Sequence, residues 1–117
     1  MSAMTEFELS LLRHLQEQEE IPATVKLNID VIERSYSGKG SFTNFIKLTP
    51  SEIDKTEIIS TSTFISFENA EHGGGCLVFL YKGQLNCLEV FTYSPSLSEN
   101  YMNEEFSFSQ PLNENVN

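Results

Sequence analysis

The chain reads as an α+β protein, an N-terminal amphipathic helix packed on a mainly antiparallel sheet of about five or six strands. Three observations predict this. A helix-start signal near residue 5 is followed by apolar residues at helical spacing, the period changes to two from Val25 onward, and two later stretches have the form strand, tight turn, strand. A sequence of 117 residues, 39% hydrophobic with nine Phe and four Tyr, suffices for one core without disulfide staples.

Thr5-Glu6-Phe7-Glu8 forms a capping box, with Met4 and Leu9 as a hydrophobic staple. Phe7, Leu11 and Leu15, joined by Met4 and Leu12, make the apolar stripe of a helix that ends before Pro22. His14 lies beside that stripe and reads as a packing residue rather than a ligand. Val25, Leu27, Ile29 and Val31 then alternate with polar residues as a strand does, and Ile32 breaks the alternation at an expected bulge. Arg34 and Tyr36 lead into the turn Ser37-Gly38-Lys39-Gly40 and a second strand from Ser41 to about Leu48.

Thr49-Pro50-Ser51-Glu52 repeats the capping signal and predicts a short helix to about Lys55. Ile58 to Phe67 reads as one strand, with Ile59, Thr61, Thr63, Ile65 and Phe67 sharing a face. Cys76 to Tyr81 and Gln84 to Tyr93 form the central hairpin around Lys82-Gly83. Both arms are apolar at nearly every position, which predicts strands covered on both faces. Ser94-Pro95-Ser96 ends the hairpin, Phe106-Ser107-Phe108 suggests a short edge strand, and the domain is expected to span residues 1–110, with 111–117 fraying.

The formal net charge of -10 repels phosphate backbones and anionic lipid, so neither nucleic acid nor membrane is an expected partner. The N-terminus carries no signal-peptide pattern, and the longest apolar run is far too short to span a bilayer, so a cytoplasmic location is expected. The two cysteines fit that setting. A two-residue turn places Cys87 diagonal to Cys76, too far to bridge, while a bulged turn places them on opposite faces; either way both thiols stay reduced.

Familiar chemical motifs fail on inspection. Ser37-Gly38-Lys39-Gly40-Ser41 lacks the spacing and the following helix of a phosphate loop. His72-Gly73-Gly74-Gly75 also precedes a strand, and reads either as a loop or bulge entering a crowded central strand or as a mobile rim beside a pocket, with His72 at its edge. His72, Cys76 and Cys87 do not supply a metal set, and no cofactor is expected. Glu89, inside Cys87-Leu88-Glu89-Val90-Phe91, is the sharpest single residue. It must be paired, with Arg34 or a lysine on a neighbouring strand, or open to a cleft as a pocket acid beside Tyr93 or Tyr36. The candidate binding set is therefore Glu89, Tyr93, Arg34, Tyr36, His72, Gly73, Gly74 and Gly75, with no catalytic residue.

Gly38-Lys39-Gly40-Ser41-Phe42-Thr43-Asn44-Phe45 and Gly83-Gln84-Leu85-Asn86-Cys87-Leu88-Glu89-Val90-Phe91-Thr92-Tyr93, with Gly74 to Phe79 between them, resemble a family of small uncharacterised bacterial single-domain proteins. Its segments are G-x-G-x-F-T-x-F and G-x-L-x-x-L-E-x-x-x-Y. The resemblance covers about half the chain and implies a compact α+β domain in a bacterial cytoplasm, with no established activity or site residues.

The leading functional expectation is a non-enzymatic acidic interaction protein that binds a basic protein partner, as immunity and antitoxin proteins do. The alternative is a small-molecule-binding domain with a cleft near Glu89, Tyr93 and the Gly73–Gly75 loop; a catalytic role ranks third, and a homodimer is left open. The arrangement of Glu17, Glu19, Glu20, Glu99, Glu104 and Glu105 discriminates: one contiguous face favours the basic partner, a cleft at Glu89 favours the ligand.

Overall fold

The structure, a computed structural model, describes residues 2–111. The fraying expected at 111–117 falls, past Pro111, outside the described residues. Helix α1 (Glu6–Glu17) begins with the capping box that the sequence announces, Thr5 Oγ1 accepting from the Glu8 amide and Glu8 accepting from the Thr5 amide. Seven strands follow: β1 (Glu33–Tyr36), β2 (Gly40–Asn44), β3 (Glu57–Ser60), β4 (Phe64–Phe67), β5 (Ala70–Tyr81), β6 (Gln84–Thr92) and β7 (Phe106–Ser109). A one-turn helix α2 (Pro50–Ile53), also with a complete capping box, precedes β3, and a 3₁₀ turn (Tyr101–Asn103) precedes β7.

All strand pairs are antiparallel, in the order β1-β2-β6-β5-β4-β7, with β3 paired to β5 beyond the end of β4. The fold class is therefore α+β. Strand β5 organises the sheet because its 12 residues present one edge to β6 and divide the other between two short strands. Helix α1 lies on one face, where Phe7, Leu11, Leu12 and Leu15 meet Cys76, Val78, Leu80, Leu85, Leu88 and Val90 in one core. Phe7 makes edge-to-face contacts with Tyr101 and Phe106, which extend the same core.

Two expectations are corrected, and one choice between alternatives is decided. Residues 25–31 show the predicted alternation of burial but make only the isolated bridge Ser2↔Val31, because no neighbouring strand offers a ladder. The single strand expected over 58–67 is two, interrupted where the Glu20 carboxylate accepts bonds from the amide and hydroxyl of Ser62 and the hydroxyl of Thr63. The central hairpin has its two-residue turn, with Lys82 and Gly83 at φ 51° and 78°, but the register slips between Phe79 and Leu80. That bulge leaves Cys87 opposite Phe79, on the other face of the sheet from Cys76. Among the described residues, no helix is long and apolar enough to cross a membrane.

Candidate interaction face

The two-sided apolar pattern of the central hairpin does not mean two covered faces. Along β5, Cys76, Val78 and Leu80 are buried under α1, whereas Leu77, Phe79 and Tyr81 point the other way and are half-exposed. Cross-strand register extends this outer face into rows. One row places Phe42 of β2, Glu89 of β6, Leu77 of β5 and Ser60 of β3 side by side; the next places Asn44, Cys87, Phe79 and Ile58. Phe42 is 37% exposed and Ile58 59%. An antiparallel sheet with a solvated face ordinarily carries polar residues there, so this face is unusually apolar for its exposure.

The glycines belong to β5, where the pairing with β4 shifts register between Ile65↔Gly74 and Phe67↔Ala70 and Gly73 takes φ 63°, so the expected bulge entering a crowded strand is present and the mobile rim is not. Their absent side chains make room for rings. A Cβ on Gly73 would strike the Phe64 ring at 2.2 Å, and one on Gly75 would lie 3.0 Å from Phe91 and 3.2 Å from the Tyr93 hydroxyl. Phe64 and Tyr93 stack at 6.5 Å, and Phe91 meets Tyr93 at 5.6 Å. The result is an aromatic cluster continuing the outer face, with Phe64 stacked on Tyr93 and Phe91 edge-on to it, ending at Tyr93, which is 61% exposed. Gly74 faces the core, where its backbone packs against the Phe91 carbonyl. His72 is exposed at the start of β5, its amide donating to Ser94 Oγ at 2.8 Å.

Glu89 sits in the middle of this face, opposite Leu77 on one strand and Phe42 on the other. Among the described residues nothing donates a hydrogen bond to its carboxylate and no cation pairs with it. Partial desolvation pushes its carboxyl above the ordinary glutamate value. The structural pair expected with Arg34 is not made, because Arg34 is on the helix side of the sheet and engages Glu8.

Beyond Cys87 and Phe79 the face deepens into a groove of about 610 Å³ between Phe42, Ile46, Ile53 and Ile58. One wall is held by the Tyr81 hydroxyl, which donates to Glu52 Oε2 at 3.2 Å and fixes α2 against β5. The concavity thus lies at the end of the face opposite Tyr93, and not around Glu89, Tyr93 and the glycines.

The remaining predicted residues, Arg34 and Tyr36, make structural contacts on the helix side of the sheet. Arg34 donates from Nε and Nη2 to the two Glu8 oxygens, at 2.8 and 2.7 Å. Tyr36 donates to the Leu97 carbonyl. Glu8, fully buried, also accepts from Thr43 Oγ1 at 2.7 Å and from the Thr5 amide at 2.8 Å. Burial acts to raise its pKa, but the bonds from Arg34, Thr5 and Thr43 outweigh it and hold the carboxyl below its usual value. Sequence reasoning recognised Glu8 as a cap and missed its second role.

The sequence reading also passed over Phe42, Phe79 and Ile58. The signal for Phe79 was present in the apolar residues at both parities of residues 76–81, whereas Phe42 and Ile58 join it only through the cross-strand register. No family model, curated protein or solved structure matches this chain. Among the described residues no cluster of three or more His, Cys, Asp or Glu could hold a metal.

Proposed function

We propose that this is a non-enzymatic interaction protein that binds a basic protein partner on its open sheet face, in the manner of immunity and antitoxin proteins of the bacterial cytoplasm. The observation that carries this is the apolar face with the unpaired Glu89 carboxylate at its centre. Covering such a face removes aromatic surface from water, and a cation brought by the partner neutralises a carboxylate that the fold leaves without one. The overall charge of -10 adds long-range attraction for a basic partner.

The six glutamates of the acidic-face alternative lie in two groups. Glu17, Glu19 and Glu20 are at the C-terminal end of α1, whereas Glu99, Glu104 and Glu105 flank the 3₁₀ turn, whose Met102 receives a bond from Thr5 at the N-terminal end. A helix of 12 residues separates them, about 18 Å. Recognition is therefore assigned to the open face and not to an acidic cluster.

The test is capture of basic proteins at low salt by the wild-type chain, by Phe42→Ser and by Glu89→Gln, with folding checked by circular dichroism. Loss of the same captured protein in both variants supports the reading. Retention by both, or a small molecule released on denaturing the purified protein, overturns it; the groove by Ile53 and Ile58 would then be the site of a ligand.

A further inference from the structure

We infer that the element covering the open face is a cationic amphipathic α-helix of about four turns, supplied by the basic partner; this rests on the preceding reading. The geometry sets the length. From Phe79 to Gly73, opposite Tyr93, the face runs six residues along β5, about 20 Å at strand rise. A helix of about 13 residues has that length. The other face of the same sheet is already closed by α1, a helix of 12 residues, so the partner would supply the missing third layer.

A strand added at an edge is the usual way for an extended segment to join a sheet, and it would leave these rings uncovered. A second copy of this chain is disfavoured by charge. Each copy carries -10 and would bring its own Glu89 to the shared interface, with Lys47 at the groove as the lysine lining that end of the face.

The rows also fix the chemistry along the helix. The groove beside Phe79 and Ile58 accepts one large apolar side chain, and the Glu89 row lies two strand residues away, about 6.6 Å. Four helical residues advance about 6 Å. The helix accordingly carries an apolar anchor at one position and a Lys or Arg four residues away, in either direction, over Glu89. Further apolar residues eight and eleven or twelve positions from the anchor reach Phe91 and the Tyr93–Phe64 stack.

The test uses synthetic helical peptides of 16 residues on an alanine-rich host, labelled for fluorescence anisotropy. One carries Leu at the anchor, Lys four residues on, and Leu eight and eleven residues on. Controls are a scrambled peptide of equal composition, a peptide with Glu in place of that Lys, and an extended peptide with the same groups at alternate positions. The patterned helix is expected to bind at least about tenfold more tightly than each control, and the Lys-to-Glu peptide to recover binding on the Glu89→Lys protein. Ile58→Asp, at a highly exposed position, is expected to abolish binding without unfolding the chain. Equal binding of the scrambled peptide, or no charge-swap recovery, overturns the helix. If Phe42→Ser and Glu89→Gln lose the captured partner while only the extended peptide binds, the helix fails and the interaction reading stands. Sedimentation showing a dimer that Ile58→Asp dissociates overturns the foreign helix in favour of a second copy.

Discussion

Glu8 and Arg34, 26 residues apart in sequence, form a two-pronged ion pair at 2.7 and 2.8 Å that ties the first turn of α1 to strand β1. The partners are unequally placed. The Glu8 side chain is fully buried, while that of Arg34 keeps 30% of its surface in water. Removing the arginine strands a buried carboxylate, whereas removing the carboxylate leaves a guanidinium that can still be hydrated.

Arg34→Ala is therefore expected to destabilise the fold by about 3 kcal/mol at pH 7. Glu8→Gln, which keeps a capping side chain, is expected to cost about 1–2 kcal/mol. Because the Glu8 carboxyl is held below its usual value of 4.5, its contribution is full above that pH and lost as the pH falls through the lower native value. Urea unfolding from pH 7 down to pH 3 checks both points. Arg34→Ala should lose this acid-dependent component, and equal midpoints for the two variants at neutral pH would contradict the asymmetry.

Glu89 behaves in the opposite sense. Its carboxyl is raised by desolvation, so its contribution to stability is full below the unfolded value of 4.5, declines as the pH rises from there through the higher native pKa, and is lost above it. At pH 7 Glu89→Gln should leave the melting temperature equal or higher while weakening partner binding. A clear loss of thermal stability in this variant would mean that the carboxylate has a structural partner.

The glycines separate two physical effects. A Cβ on Gly74 would sit 1.9 Å from the Phe91 carbonyl oxygen, so Gly74→Ala must part β5 from β6 and should cost more than about 3 kcal/mol. Gly83, at φ 78°, has nothing within 4 Å of its added Cβ, so Gly83→Ala should cost only the left-handed backbone strain of about 1 kcal/mol. Chemical denaturation of the two variants measures the difference.

Cys76 and Cys87 are both buried, and burial pushes each thiol up to about 11, with the Glu89 carboxylate adding to the effect at Cys87. Native protein at pH 8 should react slowly with a thiol reagent, and unfolded protein should titrate two thiols. Because the residues lie on opposite faces of the sheet, oxidation should yield no intramolecular disulfide; a non-reducing mass measurement two hydrogens light would refute that placement.

The sequence alone determined what depends on neighbours along the chain. Both capping boxes, the Lys82-Gly83 turn, the short β7 and the alternation at Ile59, Thr63, Ile65 and Phe67 follow from hydrogen bonds and periods a few residues long. The tertiary structure decided which partner meets each residue. Val25 to Val31 has strand periodicity but no ladder, Glu20 breaks 57–67 into two strands from 42 residues away, and Arg34 turns to Glu8 instead of Glu89. The open face has the same origin. Leu77 and Phe79 are as apolar as Val78 and Leu80, and only the placement of a single helix on one side of the sheet leaves the first pair half-exposed and the second buried.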